Sequence, residues 1–225
     1  MAAEEASVEI HIAHGPGMKA LIGLVLIVLL AALVLQVVVM GGSTSLHQRG
    51  QLGQEIDWLE RWQPVMVWEK GLDGEIDKLY RERIKRELLG GQLERALLAL
   101  RHARAHAKAR GVKPDRELTA LGIETLTRVA DRVQANGRLG SAADWDDSLF
   151  VFAIRAQEPS HRYAGLAAFM EGLDLRVRDG KPCEALARVT WAKRGLGGEV
   201  PGLQSSVEED LRNQCDQALR HGRGR

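Results

Sequence analysis

The sequence predicts an all-α protein: one membrane-spanning helix near the N-terminus, then a stack of antiparallel helical hairpins closed by a terminal helix. Three observations carry this. Ala20–Met40 runs 21 residues without a charge, and all but Gly23 and Gln36 are apolar. Beyond it, apolar residues recur at helical spacing, and no window shows sustained strand alternation. Breaks bearing glycine and proline then cut the chain into pieces of helix length.

Composition frames the rest. The 225 residues are 45% hydrophobic and 27% charged, with a formal net charge of +1. The average conceals a split. After Met40 there remain 30 Lys/Arg (31 less Lys19) against 27 Asp/Glu (30 less Glu4, Glu5 and Glu9). A hydrophobic rod therefore precedes a highly charged, near-neutral domain. This excludes a fully soluble chain, a polytopic transporter, a collagen and a disulfide-dense mini-protein. The aliphatic residues are too plentiful and periodic for wholesale disorder. Arginine outnumbers lysine 23 to 8, which with abundant Ala, Gly and Leu points to a GC-rich, bacterial genome.

Residues 1–19 form an N-terminal tail. The rod, residues 20–40, spans about 31 Å as a helix, against roughly 30 Å of hydrocarbon. A backbone in lipid must satisfy its own hydrogen bonds, so the segment reads as helix despite its β-branched residues. A cleaved signal peptide is the alternative, but the apolar run is longer than a signal's core of about 7–15 residues, and VVVMGGSTS lacks an A-x-A site. Lys19 before the rod and Arg49 after it balance one against one, so charge does not orient the helix. The short N-terminal tail favours N-in, C-out in the inner (plasma) membrane.

Residues 41–71 read as a GGSTS spacer followed by a Trp-rich juxtamembrane helix over 54–70. Trp58, Trp62 and Trp68 are three of the five tryptophans. Tryptophan suits the bilayer interface, with an apolar body and one N–H donor. The helix is either an interfacial or partner-docking element or the first core helix of the soluble domain. Glu55, Asp57, Glu60 and Glu69 disfavour anionic lipid, which makes a protein the better partner. Pro64 should kink or end the helix.

Residues 72–220 predict seven helices, near 72–89, 91–110, 114–136, 141–157, 160–178, 181–194 and 203–220; residues 221–225 form a disordered tail. Short connections make sequential helices antiparallel neighbours. The segments Gly91-Gln-Leu-Glu-Arg-Ala96, Gly137-Arg-Leu-Gly-Ser-Ala142 and Gly180-Lys-Pro-Cys-Glu-Ala185 share the form G-x-[L/P]-x-x-A. Leu100 and Ala103 in the first correspond to Val189 and Ala192 in the third. In the middle segment Asp146 falls where an apolar residue is expected. The pattern resembles the second helix of a tetratricopeptide repeat, and Leu121-Gly122 resembles the L-G pair of that family's first helix. The steps of 46 and 43 residues depart from the family's 34, and its Trp and Tyr signatures are missing. The resemblance, over 72–194, implies peptide or protein partners rather than a reaction.

The candidate chemistry is sparse. Arg101, Arg104 and Lys108 line one face of a helix, with His102, His106 and Arg110 beside them. That face is either solvated or docks an acidic partner or anionic headgroups. His102 and His106 lack the further ligands that zinc needs. The acidic clusters Asp144, Asp146, Asp147 and Glu208, Glu209, Asp210 read as charge at helix N-termini. An enzyme would need a deep pocket joining His161, Asp174 or these clusters, and no catalytic, nucleotide or cofactor motif is present. Nucleic acid is disfavoured by the small net charge and the lack of stacking aromatics. Cys183 and Cys215 lie 16 residues either side of a loop centred near 199, level with each other in an antiparallel hairpin. An exported domain would let them bridge; a cytosolic one would hold two thiols. Together these features imply a membrane-anchored scaffold, adaptor or accessory subunit of a membrane protein complex, in contact with the bilayer and with a protein or peptide. The alternative is a cytoplasm-facing module that binds an acidic partner or anionic lipid through the basic helix.

Overall fold

A computed structural model of the chain describes residues 16–154 and 156–222. The expected tails fall largely outside them, at residues 1–15 and 223–225. The described residues form nine α-helices and no strand: α1 (Pro16–Gln48), α2 (Leu52–Trp62), α3 (Leu72–Leu89), α4 (Leu93–Ala109), α5 (Arg116–Ala135), α6 (Leu139–Ala153), α7 (Pro159–Arg178), α8 (Pro182–Leu196) and α9 (Ser205–Gly222). Two compact units divide within α3, the first ending at Ile76 and the second starting at Asp77.

In the first unit α1 is a single helix of 33 residues. Ala20–Gln48 is long and apolar enough to cross a membrane, and its side chains from Leu21 to Leu30 and at Leu33, Val34, Val37 and Val38 are exposed. The GGSTS segment is not a spacer: α1 runs straight through it. The reason lies in what packs there. A Cβ on Gly42 would meet the Trp58 indole at 3.0 Å, so the bare glycine makes room for that ring. Ser43 Oγ donates to Glu55 Oε1 at 2.7 Å, and Thr44 Oγ1 donates to the Met40 carbonyl at 2.9 Å. Helix α2 folds back beside the end of α1 and buries Leu52, Glu55, Ile56 and Leu59. It stops at Trp62, shorter than the sequence suggests. Turns follow through Pro64, which has no N–H to continue a helix.

The second unit holds seven helices including most of α3, each beginning and ending within four residues of the ranges expected from sequence. Its tightest pairing is α6 against α7, antiparallel through small residues. A Cβ on Gly165 would lie 2.9 Å from the Ala153 methyl, and one on Gly172 would lie 3.1 Å from Asp146 Cβ. Phe150 and Phe169 stack between the helices with centroids 4.7 Å apart. They begin a core that continues through Leu173, Ala185, Val189, Ala192 and Val200 to Leu211. Helices α8 and α9 run antiparallel: Lys193 Nζ bonds Glu208 at 2.5 Å, and Cys183 is disulfide-bonded to Cys215 with Cα atoms 4.7 Å apart.

One turn recurs. Gly91, Gly137 and Gly180 take φ of 68°, 74° and 77°. The residue after each donates to the carbonyl five residues back: Gln92 to Glu87, Arg138 to Val133 and Lys181 to Arg176. This is the Schellman closure, which requires a left-handed residue and so favours glycine. Gly50 repeats it at φ 70°, with Gln51 donating to the Leu46 carbonyl at 3.0 Å. Gly50-Gln-Leu is the same tripeptide as Gly91-Gln-Leu, 41 residues earlier. The hairpin of α1 and α2 is thus turned in the same way as those after it.

Candidate functional site

Two places gather the residues that sequence reasoning singles out, one in each unit. The first is the α1–α2 hairpin. Trp58 lies over Gly42 and donates its indole N–H to the Val39 carbonyl at 3.0 Å. Trp62 packs edge-on to it, centroids 5.8 Å apart, with its own indole nitrogen buried and unpartnered. Trp68 stands apart from this pair, in the turns after α2, and is exposed. The tryptophans therefore divide: two are half-buried in the hairpin and one faces outward. Polar groups tie the hairpin further. Glu55 accepts from Ser43 and lies 3.0 Å from His47 Nδ1, while Gln36 Nε2 donates to Glu69 Oε2 at 2.7 Å.

The second place is an open cleft of about 480 Å³, lined by Arg104 of α4, by Asp144, Asp147, Ser148 and Val151 of α6, and by Arg188 and Trp191 of α8. Arg104 enters it from the basic face of α4. Its guanidinium sits 4.8 Å above the Phe152 ring, a cation–π contact. Arg101 and Lys108 are exposed on the same helix. Two of the neighbouring row are occupied, while His102 is exposed: Arg110 bonds Asp77 at 2.7 Å, and His106 lies against Asp77 and Tyr80. Arg188 bonds Asp147 at 3.1 Å and lies 5.5 Å from the Trp191 ring centroid.

Beneath the cleft the acidic cluster has a different role from the one its spacing suggests. It is not N-terminal charge on α6. The helix begins at Leu139, so Asp144, Asp146 and Asp147 fall in its second and third turns. Arg176 of α7, 2% exposed, donates to Asp147 at 2.6 Å, to Asp144 at 2.9 Å and to the Gly172 carbonyl at 3.2 Å. Asp146 occupies the apolar position of its segment and is buried there, like Leu100 and Val189 in the other two. Burial pushes its carboxyl up to about 7, with Glu171, Asp147 and Asp131 adding repulsion. Burial also raises the Asp147 carboxyl, against the pull of Arg176 and Arg188. His161 and Asp174 do not line the cleft; Asp174 bonds Arg178 at 3.5 Å. Among the described residues no three His, Cys, Asp or Glu side chains are grouped to hold a metal.

Arg176 carries the most consequence of the residues that motif reading misses. Its signal is present: Phe169, Gly172, Leu173 and Arg176 share one helical face, so a cation is written into a buried stripe. Such a residue calls for carboxylates on the facing helix. Compared with known families, curated proteins and solved structures, the chain matches none.

Proposed function

We propose that this chain is a single-pass membrane protein whose C-terminal helices form a tetratricopeptide-like docking stack, serving as scaffold, adaptor or accessory subunit of a membrane complex. The observation that supports it best is the pairing of features in one chain. An exposed apolar helix of membrane length precedes a helical unit that offers an open, mixed-charge cleft. In this reading an acidic peptide segment of a protein partner lies along Arg101, Arg104 and Lys108 and enters the cleft at Arg104. Trp191 and Val151 supply its apolar contact, and the neck around Trp58 and Trp62 forms a second contact region.

The Cys183–Cys215 bond supports an N-in, C-out orientation, because disulfides persist in oxidising compartments. Extraction in mild detergent with a crosslinker should recover a stoichiometric membrane partner. Recovery of free monomer alone would overturn the proposal. The exposed basic row of α4 favours a second reading, a cytoplasm-facing module for an acidic protein or anionic lipid. That reading requires free thiols in intact cells, and binding that is lost when Arg101, Arg104 and Lys108 are changed to Glu.

A further inference from the structure

The Gln36–Glu69 hydrogen bond has a consequence for depth. Gln36 lies inside the apolar run, about 6 Å along the helix from its last residue, Met40. Glu69 is a carboxylate, and an ionised carboxylate is expelled from hydrocarbon unless it is paired or hydrated. Its 2.7 Å bond to Gln36 therefore marks the level at which lipid gives way to water. Ala20–Leu35 is left for the hydrocarbon, 16 residues or about 24 Å, short of the roughly 30 Å of an average bilayer core.

The residues tied to that level are apolar and point outward. Val65 is 49%, Val67 78% and Trp68 45% exposed, while Met66 between them is buried. They belong to the same compact unit as α1 and immediately precede Glu69 in sequence. An exposed Val-x-Val-Trp on a water-facing turn leaves apolar surface uncovered. The same turn at the rim of a membrane helix continues the apolar collar of α1 and offsets its short span. Tryptophan at this level is in the zone it prefers.

We propose that Val65, Val67 and Trp68 insert into the bilayer interface beside Gln36 as a second, shallow membrane contact. The occupant is the lipid interface, and the attraction is apolar rather than charge-driven, since the flanking charges cancel, Glu60 and Glu69 against Arg61 and Lys70. The inference rests on α1 spanning the membrane, and the test separates the two claims.

The full chain is reconstituted in phosphatidylcholine vesicles with either plain or acyl-brominated lipid, and flotation is scored first. Bromine quenches nearby indoles. Trp68→Phe should remove at least about a third of the bromine-dependent quench, and Val67→Glu, at an exposed position that tolerates charge, should reduce it by a similar share. Both effects should appear equally in zwitterionic and anionic membranes. A chain that floats, yet shows the same quench with and without Trp68, overturns the inference and leaves the anchor standing. So does Trp68 that is quenched by aqueous iodide instead, which leaves the turn for a protein. Quenching seen only with anionic lipid overturns its apolar basis. A chain that does not float overturns the anchor as well.

Discussion

Arg176 of α7 and Asp147 of α6 form a buried ion pair, 2.6 Å from Nη2 to Oδ2, on the tightest helix pair of the second unit. Arg188 reaches the same carboxylate from α8 at 3.1 Å. One carboxylate thus joins three helices under the cleft. Removing one partner of such a pair leaves a desolvated charge, which typically costs about 3–5 kcal/mol. Arg176→Met should therefore lower stability by about that much in urea unfolding of the full chain. A loss under 1 kcal/mol would mean that Arg188 alone neutralises Asp147.

Asp146 supplies a pH dependence of opposite origin. Its carboxyl titrates near 7 in the folded protein against 3.8 in the reference state, chiefly because it is buried. The folded state therefore binds a proton that the unfolded state has released. Stability from this group is fully present below about 4 and is lost as pH rises through about 7. Asp146→Asn cannot ionise and should remove this slope. The difference between the two proteins should grow between pH 5 and pH 8 to on the order of 2–4 kcal/mol. Parallel melting curves across that range would show that Asp146 is not the titrating group.

The Cys183–Cys215 bond closes a loop of 32 residues, for which the chain-entropy account gives about 3–4 kcal/mol. Cys215→Ser should lower the midpoint of unfolding accordingly, and reductant should then have no further effect. Limited proteolysis should cut first in residues 197–204, between α8 and α9, in the substituted protein. Equal protease resistance with and without the bond would show that packing alone holds α9.

Gly122 of α5 faces the Phe152 ring so closely that any Cβ would run into it. Gly122→Ala should push the ring aside and disturb the Arg104 stack above it, at a cost of about 1–3 kcal/mol despite alanine's better helix propensity. A stabilised Gly122→Ala protein would show that the ring yields freely.

Most of the helices were legible because their stops carry a local reason. Glycine with positive φ closes α3, α5 and α7, and proline bars a helix through the turns after Trp62. The disulfide partners could be placed level because an antiparallel hairpin needs only equal counts from its loop. Less legible was whatever depends on the facing helix. Asp146 and Asp147 look like surface charge until Arg176 and Gly172 are set opposite them. The Gly41–Gly42 pair looks like a hinge until Trp58 is laid on it. Composition signals flexibility or exposure at both sites, and packing decides otherwise. The match of Gly50-Gln-Leu to Gly91-Gln-Leu is a local signal of the α1–α2 turn.

The continuation of α1 through Gly42 and Ser43 also bears on proteolytic processing. A peptidase that cut between Met40 and Ser45 would separate Val39 from the Trp58 indole that bonds to it, and would sever the helical segment that carries Ser43 and His47. The released α2 would keep Ile56 and Leu59 but lose the wall beside them. Such a clipped product would lose the packing between α1 and α2, so release of α1 and survival of the hairpin are mutually exclusive.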